Sequence, residues 1–343
     1  MKILIRATNW VGDAILATPA LRAVRAKFPD AEISIVARPY VADIYRGQGV
    51  ADSLITYDVA GAHAGWRGRE GLAAELRGGN YDVALLLQNA FDAAWLAWRA
   101  KIPRRIGYAR DGRSALLTDA VRVPRAGEIP AHEKFYYLEL LRRVGWIEEL
   151  PDEKFIQLKV SAEQQAAAEQ KLQAAGSGGR TPRIAVGAGA SYGSAKCWPP
   201  ERFAEALNQL QDASRENSES DVILFGTTGE TAVTEAIAAK LRRAAISLAG
   251  QTTIAELPAL LSRCQIFLGN DSGAMHVAAA VGLPVVAVFG PTDPFGTAPV
   301  TPRCAIVQEK PYCSPCFLRR CPTDHRCMTA VSAGAVVRAL EAV

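Results

Sequence analysis

Three segments of the sequence gather side chains that could bind or activate a substrate. The first holds Asp13 shortly after an apolar run, the second holds Lys196 among small residues, and the third begins Asp271-Ser272-Gly273. A carboxylate can take a proton from an attacking hydroxyl. A lysine and backbone N–H groups left accessible by small residues can bind phosphates. These residue types suit the transfer of a group between a phosphate-bearing ligand and a hydroxyl.

Each segment also has a simpler structural interpretation. Asp13 stands where a helix would begin, so it could be only an N-cap. The segment around Lys196 could be only a tight strand-to-helix turn. It lacks the Gly-Lys-Ser/Thr ending of a P-loop, and Tyr192 occupies the third glycine position of a dinucleotide fingerprint. His276 follows in the third segment; a lone histidine is more often structural, but this one shares a turn with Asp271.

The segments follow short apolar runs that alternate with helical periodicity. Strands are predicted at residues 2–6, 32–36, 53–57, 81–87, 105–108, 183–186, 221–225, 245–248, 265–268 and 284–289. Helices are predicted at residues 13–27, 67–77, 91–100, 133–144, 201–210, 230–242, 253–261 and 272–281. This alternation predicts an α/β fold with parallel sheets covered by helices, and ligands of such sheets bind at loops that follow strands.

The length of 343 residues favours two domains. A polar helix rich in Ala and Gln, followed by the run Gly176-Ser-Gly-Gly-Arg180, indicates the connection. We predict one Rossmann-like domain over residues 1–165 and a second over residues 180–330. The stretch at residues 331–343 is predicted to be a helix that packs back on the first domain. Two such domains facing each other would form a ligand-binding cleft.

Composition excludes several classes of protein. With 49% hydrophobic and 22% charged residues the chain is typical of a globular protein, and a net charge of +4 is too small for a dedicated nucleic-acid binder. The first residues do not read as a signal peptide, and no run approaches the length of a membrane helix. We therefore expect a cytoplasmic protein whose contact with a membrane, if any, is peripheral.

Four cysteines cluster near the end of the chain, at Cys313, Cys316, Cys321 and Cys327. Such a set could bind structural Zn²⁺, and an iron–sulfur cluster is a more remote alternative. The spacing departs from paired C-x₂-C motifs, so reduced thiols or oxidation-dependent disulfides remain the other interpretations. A catalytic role for these cysteines is not expected.

Taken together, the motifs resemble the ADP-heptose lipopolysaccharide heptosyltransferases of glycosyltransferase family 9. The resemblance rests on KILIRATNWVGDAILATPALRAV, GASYGSAKCWPPERFAEAL, NDSGAMHVAAAVGLPVVAVFGPTDP and CSPCFLRRCPTDHRCM, and it spans essentially the whole chain. Residues 88–121 look most like the members that add the second heptose. The resemblance implies a GT-B fold, in which two Rossmann-like domains face each other across a cleft, and inversion at the anomeric carbon.

By resemblance, the acceptor binds mainly to the N-terminal domain and the donor to the C-terminal one. Asp13 matches the catalytic base. The positions that match the donor site are Ser191, Tyr192, Lys196, Glu230, Asp271, Ser272, Gly273 and His276. The resemblance implies ADP-L-glycero-D-manno-heptose as donor and heptosyl-Kdo2-lipid A as acceptor, with no cofactor required for the chemistry, no nucleic acid and no obligate protein partner. The expected location is the cytoplasmic face of the inner membrane.

An inner-core acceptor carries carboxylates and phosphates, so arginines are expected to bind it. The candidates in the N-terminal half, proposed as a group because a single arginine is more often a solvated surface charge, are Arg67, Arg104, Arg105, Arg110 and Arg113. Other functions remain as alternatives: a first-heptose transferase, another ADP- or NDP-sugar transferase, a GT-B-like nucleotide-sugar epimerase, or a non-catalytic nucleotide-binding protein. A binding protein would have no use for the carboxylate of Asp13.

Overall fold

The computed structural model describes residues 1–179, 182–213 and 219–343. Within these residues the chain forms two compact units, Met1–Glu153 and Lys154–Val343. Each contains a six-stranded parallel sheet with helices packed on it. The predicted α/β class with two Rossmann-like units is confirmed.

The first unit has the strand order β3-β2-β1-β4-β5-β6. Its strands are β1 (Lys2–Arg6), β2 (Glu32–Ala37), β3 (Ser53–Thr56), β4 (Val83–Leu86), β5 (Arg104–Tyr108) and β6 (Asp119–Val121). Its helices are α1 (Val11–Leu16), α2 (Thr18–Lys27), α3 (Pro39–Tyr45), α4 (Gly65–Gly78), α5 (Phe91–Arg99) and α6 (Glu133–Arg143). The strand order reverses between β1 and β4, which makes the carboxyl end of β1 the expected place for a ligand.

The second unit repeats this topology, with the order β12-β11-β10-β7-β8-β9. Its strands are β7 (Arg183–Gly187), β8 (Asp221–Phe225), β9 (Ile246–Ser247), β10 (Ile266–Asn270), β11 (Val285–Phe289) and β12 (Cys304–Gln308). Its helices are α7 (Ala162–Ala174), α8 (Pro200–Ala213), α9 (Thr231–Ala238), α10 (Leu257–Leu261), α11 (Gly273–Ala280), α12 (Pro294–Thr297), α13 (Arg326–Thr329) and α14 (Ala333–Ala342). Here the order reverses between β7 and β10.

The helix predicted over residues 13–27 is two helices in the structure, α1 and α2, separated at Ala17. Pro19 lies in the first turn of α2. Because proline has no N–H to donate to a preceding turn, it is tolerated at a helix start and not in a helix interior. The break leaves α1 as a short helix that begins directly after the loop that follows β1.

The boundary between the two units and the place of the last helix differ from the sequence-based expectation. Helix α7, expected to be part of a connection, is fixed within the second unit, where its Glu169 pairs with Arg183 and Arg263. The predicted flexible run ends on Arg180, which lies outside the described residues.

Helix α14 was expected to pack on the first domain. Instead its apolar side chains Val336 and Leu340 belong to the hydrophobic core of the second unit.

Candidate functional site

A buried ion pair lies at the carboxyl end of the second sheet, where the strand order reverses. Lys196 Nζ lies 2.5 Å from Asp271 Oδ2, and the two side chains are only 12% and 5% exposed. Thr292 Oγ1 donates a hydrogen bond of 2.6 Å to the same carboxylate oxygen. The structure thus brings together two of the predicted donor-site residues. A cation held here by a single carboxylate can still attract an entering phosphate.

Asn270, the last residue of β10, fixes the loop that carries Lys196. Its side-chain oxygen accepts a hydrogen bond from the backbone N–H of Trp198, and its amide donates to the carbonyl of Ala188. Asn270 and Trp198 are both fully buried. One side chain therefore ties both ends of the loop to the strand beside it, which holds Lys196 in place before any ligand binds. Sequence reasoning placed Asn270 in a motif and did not assign it this role.

The start of α11 offers donors that point toward a ligand. Ser272 is the N-cap residue, with extended backbone, but its hydroxyl caps no N–H of the helix. Among the described residues, Ser272 Oγ is a buried oxygen without a hydrogen-bond partner. Gly273 is the first residue of the helix and His276 lies buried in its first turn. Backbone N–H groups at a helix start and an unused buried hydroxyl suit an anion such as a diphosphate.

Glu230 is held at a neighbouring strand end by a capping box. Its Oε2 accepts hydrogen bonds from Thr227 N at 2.7 Å and Thr227 Oγ1 at 3.0 Å. The carboxylate lies against Gly189, where a Cβ atom would fall 1.9 Å from Glu230 Oε1. Only glycine leaves room for this carboxylate beside the loop that carries Lys196. The second carboxylate oxygen is left to accept from a ligand hydroxyl.

The segment that contains the four clustered cysteines, residues 313–327, packs on the loop that carries Lys196. Tyr192 donates from its hydroxyl to Phe317 O, and Ala195 N donates to Arg319 O. At Gly193 a Cβ atom would lie 2.2 Å from Arg319 O. Lys196 Nζ also lies over the Tyr192 ring, 4.7 Å from the ring centroid. Ser191 is exposed at the tip of this loop. The cysteine-containing segment thus braces the loop, a role that the sequence did not indicate.

The four thiols do not form a metal centre in this structure. All four cysteines are free thiols. Burial is the largest cause that raises the pKa of Cys327 to about 11, and the charges of the other three cysteines add to it. Among the described residues, no group of three or more His, Cys, Asp or Glu side chains is placed to hold a metal ion. The arrangement does not support the sequence-based hypothesis of Zn²⁺ or an iron–sulfur cluster.

In the first unit, Asp13 lies in the first turn of α1, directly after the loop that follows β1. The N-cap position belongs to Trp10, so the interpretation of Asp13 as merely the N-cap is wrong. Asp13 acts electrostatically on Tyr45, Tyr137 and Glu133, and it raises the pKa of each. The carboxylate therefore faces the first turns of α6 rather than closing its own helix.

Glu133 is a site residue that the sequence analysis missed. It begins α6, and burial, followed by the charge of Asp13, raises its pKa to about 7, while a hydrogen bond from Tyr137 opposes the shift. Arg110 also lowers the pKa of Glu133, which places that cation near the carboxyl pair. A carboxyl group whose pKa is raised beside a second carboxylate is a common feature of acid–base sites. Only the packing of distant helices brings Glu133 to Asp13, so no local signal could have found it.

The structure separates the five candidate arginines. Arg113 is fully buried and binds the carbonyls of Tyr108 and Gln88 and the side chain of Asn89. Arg105 donates to the backbone carbonyls of Leu116 and Ile102, and Arg104 pairs with Asp119. Arg67 is exposed in α4. Arg110 alone is linked to the carboxyl pair, through Glu133 and a 3.4 Å hydrogen bond to the Tyr136 hydroxyl.

Comparisons with known proteins agree with this geometry. The family model for glycosyltransferase family 9 (heptosyltransferase) matches residues 69–326. Lipopolysaccharide heptosyltransferase 2 of Escherichia coli K12 is 29% identical, over 90% of this chain and 88% of that protein. Lipooligosaccharide heptosyltransferase 2 of Campylobacter jejuni (strain NCTC 11168) is 24% identical, over 96% and 93%. The structure of E. coli ADP-heptose lipopolysaccharide heptosyltransferase II has a TM-score of 0.82 and 27% identity, covering 100% of this chain and 98% of that one.

Proposed function

The chain belongs to glycosyltransferase family 9, and from that premise we propose that it transfers heptose from ADP-L-glycero-D-manno-heptose to the lipopolysaccharide inner core, adding the second heptose to heptosyl-Kdo2-lipid A. The observation that carries this proposal is the buried Lys196–Asp271 pair at the end of β10, a preformed site for a nucleoside diphosphate. The names of relatives that are similar over nine-tenths of this chain support the choice of donor and acceptor.

On the donor side, Lys196 binds the diphosphate, and Ser191 and Tyr192 lie in the same loop. Ser272 and the N–H groups at Gly273 complete the anion site at the start of α11. Asp271 accepts from hydroxyls of the heptose, and His276 lies in the same donor loop. Glu230 binds the ribose hydroxyls with the carboxylate oxygen that the capping box leaves available. These assignments use each polar group for the chemistry that it offers, namely cations and N–H donors for phosphate and carboxylates for sugar hydroxyls.

On the acceptor side, Asp13 removes the proton from the attacking hydroxyl as the new glycosidic bond forms. Attack from the face opposite to ADP inverts the anomeric carbon. A general base contributes about 10²–10⁴-fold to such a step. The departing ADP gains negative charge, which Lys196 and the helix-start N–H groups stabilise. Because burial, followed by the charge of Asp13, raises the pKa of Glu133 to about 7, this carboxyl is partly protonated at neutral pH, which lessens its charge repulsion with Asp13.

The acceptor brings negative charge to the first unit. Arg110, whose charge acts on Glu133, and the exposed Arg67 remain proposed contacts for it. Arg110 also pairs with Asp111 at 3.4 Å, and Arg104, Arg105 and Arg113 have partners within the unit as well. Among the described residues there is no helix that is long and apolar enough to cross a membrane. We therefore propose that the enzyme meets its lipid-linked acceptor at the cytoplasmic face of the inner membrane through peripheral contact.

The decisive experiment measures ADP release from ADP-heptose with and without heptosyl-Kdo2-lipid A. Acceptor-dependent release by the wild type, together with a heptosylated product, is expected. Release that needs only Kdo2-lipid A would favour a first-heptose transferase. Release without any acceptor, or interconversion of donor epimers, would favour the epimerase alternative. Tight ADP-heptose binding with no turnover on any core acceptor would contradict the proposed transfer.

A further inference from the structure

Two arginines contact one buried tyrosine at the carboxyl edge of the first sheet. Arg6 ends β1, Arg38 follows β2, and Tyr57 follows β3. The Cζ atoms of Arg6 and Arg38 lie 5.2 Å and 4.7 Å from the centroid of the Tyr57 ring. The Tyr57 side chain is fully buried, and its hydroxyl donates to Asp92 Oδ2 at 3.1 Å. This cluster occupies the edge where ligands of such sheets bind.

The cluster carries more positive than negative charge. In the described part of the chain neither Arg6 nor Arg38 forms an ion pair with a carboxylate. Burial, the largest cause, lowers the pKa of Arg6 to about 10; the charge of Asp92 opposes this shift and the charge of Arg38 adds to it. Burying two guanidinium groups beside one carboxylate is unfavourable unless a further anion balances them.

Arg6 Nε and Arg38 Nη1 are both buried nitrogens without a hydrogen-bond partner among the described residues, but the other N–H groups of the two arginines differ. Arg6 donates to the carbonyl of Ala7 at 2.5 Å and to Asn9 Oδ1 at 2.7 Å, so it holds the loop that leads to Asp13. Arg38 is half-buried, and its Nη1 is a buried nitrogen without a hydrogen-bond partner among the described residues. Stacking on Tyr57 stabilises the charge of Arg38 but satisfies none of its N–H groups.

We propose that Arg38, stacked on Tyr57 and supported by Arg6, forms an anion subsite that binds a carboxylate or phosphate group of the acceptor. A guanidinium presents paired donors that match either group, and the missing negative charge is what such a ligand supplies. This inference rests on the proposed function for the identity of the acceptor, but the anion binding itself does not.

The first test measures anion binding without any acceptor. The protein is saturated with ADP so that the donor site is filled, and its melting temperature is followed against inorganic phosphate or acetate at constant ionic strength. Ligands that bind only the folded state raise the melting temperature. Arg38→Gln is compared with Arg46→Gln, because Arg38 and Arg46 flank the two ends of α3 and Arg46 is exposed. The wild type and Arg46→Gln are expected to respond to the anion, and Arg38→Gln is expected to lose the response.

The second test measures steady-state transfer. Loss of hydrogen bonds to a charged group is expected to raise the acceptor KM of Arg38→Gln roughly 10- to 100-fold. The donor KM and kcat should stay within about twofold, because Lys196 and Asp13 are untouched. Arg38→Lys keeps the charge without the paired donors, and should recover part of the acceptor KM.

An acceptor stripped of its phosphates distinguishes the two sources of the anion. If the defect of Arg38→Gln disappears with that acceptor, the subsite binds phosphate; if the defect persists, it binds a carboxylate. The proposal is overturned if Arg38→Gln matches Arg46→Gln in both tests. A lost phosphate response with an unchanged acceptor KM would reject the acceptor as the ligand. Failure of the wild type to transfer heptose would reject the proposed function and leave the binding result standing.

Discussion

The two sheets share one strand order, but the cations at their carboxyl edges differ in whether a carboxylate pairs with them. In the second unit the cation of Lys196 is balanced by Asp271, which also accepts from Thr292. In the first unit Arg6 and Arg38 form no ion pair among the described residues, while Asp13 and Glu133 place two carboxyl groups together. One edge is internally balanced before a ligand binds, and the other keeps two arginines without an ion pair on the same edge as a pair of acids.

This difference fits the two tasks of a glycosyltransferase. A nucleoside diphosphate must be bound and then released as a product, and a cation that returns to its own carboxylate makes release easier. The acceptor edge has to hold an anionic substrate and remove a proton from it. It therefore needs uncompensated arginines for the first task and a carboxylate of suitable proton affinity for the second.

The largest effect is expected at the acceptor edge, from Asp13→Asn. The amide cannot take the proton, so kcat should fall about 10²–10⁴-fold, while the donor KM changes little. Asp30→Asn, an exposed change in the same unit, serves as the control and should behave like the wild type. The measurement is acceptor-dependent ADP release. If Asp13→Asn retains more than a tenth of wild-type kcat, Asp13 is not the base.

At the balanced edge, Lys196→Met should show the cost of leaving a carboxylate buried without its partner. Breaking a buried pair destabilises a protein by about 3–5 kcal/mol. The double variant Lys196→Met/Asp271→Asn removes the orphaned charge and should recover most of that stability, but not donor binding. Chemical denaturation measures the free energy of unfolding of each variant, and titration with ADP measures the affinity of the donor site. Recovery of ADP affinity in the double variant would argue that Lys196 serves the fold alone.

The carboxyl pair predicts a pH dependence of stability. Burial, followed by the charge of Asp13, raises the pKa of Glu133 to about 7 in the folded state, against an ordinary value of 4.5. The folded protein therefore binds more protons in that interval, and stability falls as pH rises from about 4.5 to 7. Glu133→Gln has no titrating carboxyl at this position and therefore lacks this loss of stability. Relative to the wild type, the variant should gain at most about 3 kcal/mol between pH 5 and pH 8.

Glu128→Gln is the control for that measurement. Hydrogen bonds from Arg122, Arg125 and Arg143 lower the pKa of Glu128 to about 2, so Glu128 stays ionised in both folded and unfolded states well above pH 4.5. The effect of Glu128→Gln on the free energy of unfolding should therefore be nearly constant from pH 6 to pH 8. A flat difference between wild type and Glu133→Gln over the same range would mean that Glu133 titrates normally.

Local features, such as strand ends and turn motifs, could be predicted from the sequence, whereas contacts between distant helices could not. Apolar runs predicted β1 with its observed bounds and β10 within two residues, and the motifs after them located Asp13 and Asp271, because strand ends and turn residues are encoded nearby. The proximity of Glu133 to Asp13 depends on α6 packing on α1, which no local pattern records. Arginine side chains look alike in a sequence. Only the structure shows that Arg113 is enclosed by carbonyls whereas Arg38 has a buried N–H without a partner.

The smallest effect tests how closely the balanced edge is packed, with Gly189→Ala. The added Cβ would overlap the Glu230 carboxylate, at 1.9 Å from Oε1 and 2.0 Å from Cδ. The flexible end of Glu230 can move away, so the fold should survive with a loss of about 1 kcal/mol, the value of a typical hydrogen bond. The displaced carboxylate would leave Thr227 and the ribose, which should raise the donor KM roughly tenfold with kcat nearly unchanged. Gly229→Ala is the matched control, because its Cβ would meet only Thr227 Oγ1, at 3.9 Å. If Gly189→Ala raises the donor KM no more than Gly229→Ala does, Glu230 contributes to the capping box and not to the donor.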